Sequence, residues 1–155
     1  MQCVETTSYS ISVNGDFFGF FKGTCGVRQG DPLSPYLFIA CVEYFSKMLK
    51  QYAQQSDFHF HPKCTTFGIC HLAFIDNILF LCRCDMQSVN ILYQQLLTFV
   101  KMSGLDTNAA TYSIYFGGVG EGIKHSILHH TGFSEGSFPF KYLGVPLNPH
   151  RLLAS

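Results

Sequence analysis

The amino-acid sequence predicts an α+β fold, and three observations carry that prediction. Two long segments repeat apolar residues at helical spacing. Several short segments rich in β-formers stop at Asn-Gly, Gly-Gly or Pro. The order along the chain is β-hairpin, α, β-hairpin, α, β, α, β, which lays helices on one face of a mostly antiparallel sheet.

Thr7 to Val13 alternates polar and apolar residues, Asn14-Gly15 follows, and Phe17 to Phe21 completes a hairpin signature. Gly26, Gly30 and Pro32 break the pattern. Ser34-Pro35 reads as a helix start, because Pro is tolerated in the first turn. Leu37, Ala40, Cys41, Tyr44, Phe45, Met48, Leu49 and Tyr52 form the apolar stripe of that helix, expected to pack in the core. Ser56 to Thr66, polar and interrupted by Pro62, reads as a loop. Phe67 to Ala73 and Ile78 to Leu81 are strand-like and flank Phe74-Ile75-Asp76-Asn77. Asp85 is the expected N-cap of a second helix, with Val89, Leu92, Leu96, Phe99, Val100 and Met102 inward and Gly104 at its end. Ser113 to Phe116 is a short strand before Gly117-Gly118. Glu121 to His130 is a third helix with Ile123, Ile127 and Leu128 inward. Lys141 to Val145 is the last strand.

The 155 residues make one domain's worth of chain. Ten basic residues balance ten acidic ones, so the basic excess that phosphate contacts give a stand-alone nucleic-acid binder is missing. Weak or absent nucleic-acid binding is the expectation. The start, Met1-Gln2-Cys3-Val4-Glu5, has no basic n-region or apolar run, and no apolar stretch reaches the length of a membrane span. An intracellular protein, nuclear or cytoplasmic, is expected, with no membrane partner. Its seven cysteines then read as reduced, largely buried thiols.

Asp76 sits in the short connection between two strands. A strand tip presents a carboxylate clear of the sheet, as a magnesium ligand requires. An Asp beside an Asn is also ordinary turn chemistry, and on spacing alone the turn is the favoured reading.

Arg28-Gln29-Gly30-Asp31-Pro32-Leu33-Ser34-Pro35 resembles the second palm motif of reverse transcriptases, in the form found in plant LINE-type (non-LTR) retrotransposons. His71-Leu72-Ala73-Phe74-Ile75-Asp76-Asn77-Ile78-Leu79-Phe80 resembles the Phe-Ala-Asp-Asp hairpin of the same family. Ile114-Tyr115-Phe116-Gly117-Gly118-Val119 is similar to its fourth palm region. Phe140-Lys141-Tyr142-Leu143-Gly144-Val145-Pro146-Leu147 resembles its primer grip. The resemblance implies a fragment of a right-hand polymerase palm over residues 1–118. Residues 119–155 would be the palm–thumb junction, with a primer-grip-like strand and the start of the thumb. It further implies an RNA-directed DNA polymerase with RNA or DNA template-primer and dNTP as partners and Mg2+ as cofactor. In that frame Arg28, Gln29 and Gly30 form the nucleotide and template loop. Asp76 is the residual catalytic metal ligand, and Lys141, Tyr142, Leu143 and Gly144 lie near the primer end.

The departures from the family pattern point to lost chemistry. The family's second hairpin Asp is Asn77 here and its Ala is Ile75. Thr111 and Tyr112 stand where Lys and Ser are usual. The first palm Asp is expected N-terminal to the first hairpin, where Glu5 is the only acidic residue and does not match. Nucleotidyl transfer uses two divalent ions. Losing a carboxylate about 4 Å from such an ion forfeits several kcal/mol even at an effective dielectric of roughly 20. The expectation is a chain that is catalytically incompetent on its own. The alternatives are a non-catalytic remnant that binds nucleic acid or a partner chain, and the product of a decayed element with no function.

Cys64, Cys70, Cys82 and Cys84, with His61 or His71, raise a zinc alternative, but no Cys-x-x-Cys pair occurs. Reduced core thiols are the simpler reading. His59-Phe60-His61 reads as loop decoration. Gly117-Gly118-Val119-Gly120 reads as a turn, because no βαβ context precedes it.

Overall fold

The computed structural model describes residues 8–23, 30–74, 77–103 and 112–148. The chain is α+β, with three helices and eight short strands among these residues. Strands β1 (Ser8–Val13) and β2 (Asp16–Lys22) form the first hairpin. Its turn residues, Asn14 (φ 53°) and Gly15 (φ 92°), are both left-handed. That geometry matches the twist of two strands joined by two residues, and Asn-Gly supplies it with least strain. Tyr9 pairs with Phe21 and Ile11 with Phe18, so β2 carries one extra residue, a bulge at Gly19 (φ 61°).

Helix α1 (Ser34–Ala53) begins where expected. The Leu33 amide donates to Asp31 Oδ1 at 2.8 Å and the Ser34 amide to the Asp31 carbonyl at 3.1 Å. Asp31 thus closes the turn that launches the helix. The predicted stripe is core only in its second half. Phe45, Leu49 and Ala53 are buried, whereas Tyr36, Leu37, Ile39, Ala40, Cys41 and Tyr44 are exposed. The cause is reach. At 20 residues the helix is about 30 Å long, and its packing partners, α2 (Met86–Ser103) and β3 (His71–Phe74), meet its C-terminal half.

The segment after α1 is anchored more firmly than a polar loop. Phe58 is buried and Phe60 packs edge-on against it at 5.0 Å. A single 3-10 turn spans Thr65–Phe67. Phe67, expected to begin a strand, is exposed there. The strand begins at His71, because the Gly68 and Ile69 amides turn back to the Thr65 and Cys64 carbonyls. Strand β3 pairs antiparallel with β4 (Asn77–Phe80), with His71 opposite Phe80 and Phe74 opposite Asn77.

Helix α2 is capped by Asp85 as the sequence predicts. Its Oδ1 accepts the Ser88 amide at 2.9 Å and its Oδ2 the Ser88 hydroxyl at 3.1 Å. Leu92, Leu96 and Phe99 face the core, and Met102 faces out. The core joins these residues to Phe45, Leu49, Ala53, Phe58 and Cys70. At its centre Phe45 stacks on Phe99 at 4.2 Å and meets Phe80 edge-on at 6.2 Å.

Strand β5 (Ser113–Tyr115), helix α3 (Glu121–Thr131) and strand β6 (Ser134–Gly136) form a crossover unit whose two strands are parallel. Ile127 and Thr131 bury the inner face of α3. Ile123, expected inward, is exposed, because the inner side one turn earlier is taken by Lys124, which pairs with Glu121 and Glu135. The last strand of the sequence reading resolves into a hairpin, β7 (Phe140–Tyr142) and β8 (Val145–Leu147). Leu143 (φ 52°) and Gly144 (φ 81°) turn the chain between them. The described strands therefore form four two-stranded sheets, three antiparallel and one parallel.

Candidate functional site

The hairpin of β3 and β4 is the candidate site, and its base is fixed by three contacts. Phe80 reaches the aromatic core through Phe45. The Leu81 amide donates to the Cys70 carbonyl at 2.8 Å. His71 Nε2 lies 2.9 Å from Ser46 Oγ on α1, while its Nδ1 lies 3.4 Å from Cys70 Sγ. Burial, and then the Lys50 charge, hold the His71 imidazole below its ordinary range, so the ring is a neutral bridge between hairpin and helix. The other end of the hairpin projects outward, with Leu72, Phe74 and Asn77 exposed.

A fourth contact comes from far along the chain. The Tyr142 hydroxyl lies 3.3 Å from the carbonyl oxygens of both Leu72 and Asn77. The structure thus brings together two predicted site segments, the Asn77 hairpin and the Tyr142 strand. The polar tip of Tyr142, a residue placed near the primer end by resemblance, is engaged with hairpin backbone. Lys141, Leu143 and Gly144 are exposed around it. Gly30 is exposed with φ 82°, a conformation that favours glycine. Arg28, Gln29, Asp76 and Thr111 lie outside the described residues. Tyr112 is structural: its carbonyl accepts the Ser134 amide at 3.2 Å and hydroxyl at 3.0 Å, and its ring packs on Phe133 at 5.1 Å.

Sequence reasoning missed a second polar cluster. His59 Nδ1 lies 3.3 Å from Asp85 Oδ2, and the His59 amide donates to Ser88 Oγ at 2.9 Å. The serine hydroxyl is spent on the aspartate and Ser88 is fully buried. This is a helix cap with a strap across it, not a nucleophilic site. The only sequence signal was Asp85 three residues before Ser88.

The cysteines divide into separate contacts. Cys64 Sγ lies 4.0 Å from His61 Nδ1, and Cys70 pairs with His71. Among the described residues no three His, Cys, Asp or Glu side chains are grouped as metal ligands. Burial pushes the Cys82 thiol up to about 12, with Asp85 adding to the effect, and it raises Cys70 and Cys84 as well. The Gly117–Gly120 loop does open a helix within a βαβ unit, contrary to the sequence reading. Even so, Glu121 places a carboxylate in the first turn, where it competes with any phosphate for the helix terminus.

Magnesium needs oxygen ligands, and a two-ion site needs several carboxylates. Between β3 and β4 the sequence holds one carboxylate, Asp76, followed by the neutral amide of Asn77. That donor set does not fit a two-ion centre.

Residues 2–147 match the family described as reverse transcriptase (RNA-dependent DNA polymerase). A segment of 43 residues, 28% of this chain, is 46% identical to an uncharacterized mitochondrial protein of Arabidopsis thaliana. The match spans 35% of that protein's length. The family match covers nearly all of the sequence, the α+β architecture agrees with it, and the chain belongs to the reverse transcriptase (RNA-dependent DNA polymerase) family.

Proposed function

We propose that this chain is a palm segment of a plant LINE-type, non-LTR reverse transcriptase that does not polymerise by itself. The observation that carries the reading is Asn77. It begins β4 and directly follows Asp76 in the sequence, where the family's hairpin has a second carboxylate. One carboxylate and one amide cannot neutralise two magnesium ions. Arg28-Gln29-Gly30-Asp31-Pro32-Leu33-Ser34-Pro35 and Tyr142-Leu143-Gly144-Val145-Pro146-Leu147 support the LINE-type assignment. Template, primer and dNTP are the partners of the parent chemistry, in an intracellular setting.

A second reading, a non-catalytic module that binds a partner chain, draws support from surface character. The formal charge is zero, which gives little attraction for phosphates. Meanwhile Tyr36 and Ile39 on α1 and Phe17 and Phe20 on β2 are each more than 60% exposed, and large exposed apolar side chains are what a protein contact would cover.

The test is template-directed primer extension with magnesium or manganese. The purified chain is expected to extend nothing. Extension that disappears in Asp76→Ala would overturn the proposal. A gel-shift titration separates the two readings. Binding that weakens steeply with salt reports phosphate contacts, and no shift favours a protein partner.

A further inference from the structure

Helix α3 carries a feature that the polymerase chemistry does not use. His125 and His129 stand four residues apart on it, and both are exposed. Its inner face is defined by Ile127 and Thr131, both buried, with Lys124 and Leu128 half-buried beside them. At 100° per residue, His125 and His129 each fall about 160° from Ile127, on the opposite face. Side chains at this spacing have Cβ atoms about 5–6 Å apart, which lets two imidazoles converge on one ion without moving the backbone.

Neighbouring histidines are committed elsewhere. His130 Nε2 lies 3.0 Å from Asn90 Oδ1, and its ring packs on Tyr93. His59 pairs with Asp85, His61 lies beside Cys64, and His71 bridges to Ser46. Among the described residues His125 and His129 have no such partners, so coordination costs them no bond seen there. The local charge is also favourable. His129 lies in the last turn, where the helix dipole is negative and favours a cation. Lys124, the nearest amine in sequence, is held between Glu121 at 2.8 Å and Glu135 at 3.4 Å.

We propose that His125 and His129 form an open two-imidazole chelate for a late first-row divalent ion, with solvent completing the coordination. Imidazole suits zinc, nickel and copper(II), and affinity rises from nickel to copper(II). Magnesium, which demands oxygen ligands, is excluded from this position. The site is therefore chemically distinct from the hairpin and does not rest on the polymerase reading. With two protein ligands rather than the three or four of closed sites, it exchanges its ion readily. A bound ion also ties together the last two turns of α3 and so stabilises the native state over the unfolded one.

The experiment is isothermal titration of the untagged, reduced chain with nickel(II), together with thermal unfolding in the same ion. One equivalent is expected to bind and to raise the midpoint. His125→Ala and His129→Ala are each expected to weaken binding about tenfold or more, since each leaves a single imidazole. His61→Ala is expected to leave it unchanged. All three positions are surface or loop residues, and circular dichroism verifies that each variant is folded. Absence of nickel binding by the parent chain overturns the proposal. So does full-strength binding in the folded His125→Ala/His129→Ala double variant, which would assign the ion to other groups.

Discussion

Tyr142 reaches back 65 residues to place its hydroxyl 3.3 Å from the Asn77 carbonyl oxygen, and the Leu72 carbonyl lies at the same distance. One phenolic proton is thereby shared between the two strands of the Asp76 hairpin. The contact couples the β7–β8 turn to the projecting end of β3–β4. Tyr142→Phe removes only the hydroxyl. A long, exposed hydrogen bond contributes at the low end of the usual range, roughly 0.5–1 kcal/mol. The larger expected effect is local. Amide exchange around Leu72 to Asn77 should quicken while α2 keeps its protection. Unchanged exchange in the hairpin would show that the tie carries no load.

That contact was invisible in the sequence, and the reason is physical. Local patterns encode local structure: the Asn14-Gly15 turn, the stripe on α2 apart from Met102, and the Asp85 cap appear where the residues predict them. Strand β6 escaped because Ser134-Glu135-Gly136 has no β-branched or aromatic residue. It is a strand only because β5, 21 residues earlier, lends it hydrogen-bond partners. The β7–β8 turn escaped because Leu143 is an unusual residue at positive φ. The first half of α1 misled in the other direction, since an apolar stripe shows what a helix can bury and not whether anything covers it. At the candidate site the legible part was motif identity. The His71–Ser46 bridge and the Tyr142 tie depend on segments meeting in space.

Asp85 performs three tasks with one carboxylate, accepting the Ser88 amide and hydroxyl and pairing with His59. Asp85→Ala is expected to cost about 1–2 kcal/mol, the upper part of the N-cap range, because Ser88 is buried and loses its acceptor. Asp85→Asn retains an acceptor and should recover part of the loss. Urea midpoints at constant slope measure both. Equal losses in the two variants would show that charge, not capping, is what matters.

His71 makes stability depend on pH. Its folded pKa lies below the ordinary value of 6.5 because of burial and then Lys50. Between the two values the unfolded chain binds the extra proton, so stability rises with pH in that window. The contribution is full above about 6.5 and is lost as pH falls through it toward the folded value. Unfolding midpoints at pH 7.5 and 5.5 should differ, and His71→Gln should flatten that part of the profile. A slope unchanged by the substitution assigns the effect to another group.

Cys82 should be the slow thiol. Burial first, then the charge of Asp85, raises its pKa to about 12. At pH 8 its thiolate fraction is then on the order of one in ten thousand. Cys41 is exposed on α1. Iodoacetamide at pH 8 followed by peptide mapping should label Cys41 well before Cys82, with the difference vanishing in denaturant. Equal labelling in the native state would show that the segment after β4 opens freely. That opening would detach the base of the candidate hairpin as well.

Phe45 joins the hairpin to the helical core, stacking on Phe99 of α2 and meeting Phe80 of β4 edge-on. It is 1% exposed, so truncation removes dispersion contacts and leaves a void that two helices and a strand cannot close at once. Phe45→Ala is expected to cost about 3–5 kcal/mol, a large part of the total stability of a domain this size. Tyr36→Ala on the same helix, at a residue 71% exposed, should change stability by no more than about 0.5 kcal/mol. Phe45→Leu, which keeps an apolar but smaller side chain and loses the ring, should fall between them. Its shortfall against the parent combines the lost volume with the two ring pairs, worth about 0.5–1.5 kcal/mol each. If Phe45→Ala and Tyr36→Ala destabilise equally, the two halves of α1 are equally covered, and the uncovered N-terminal face described above does not exist in solution.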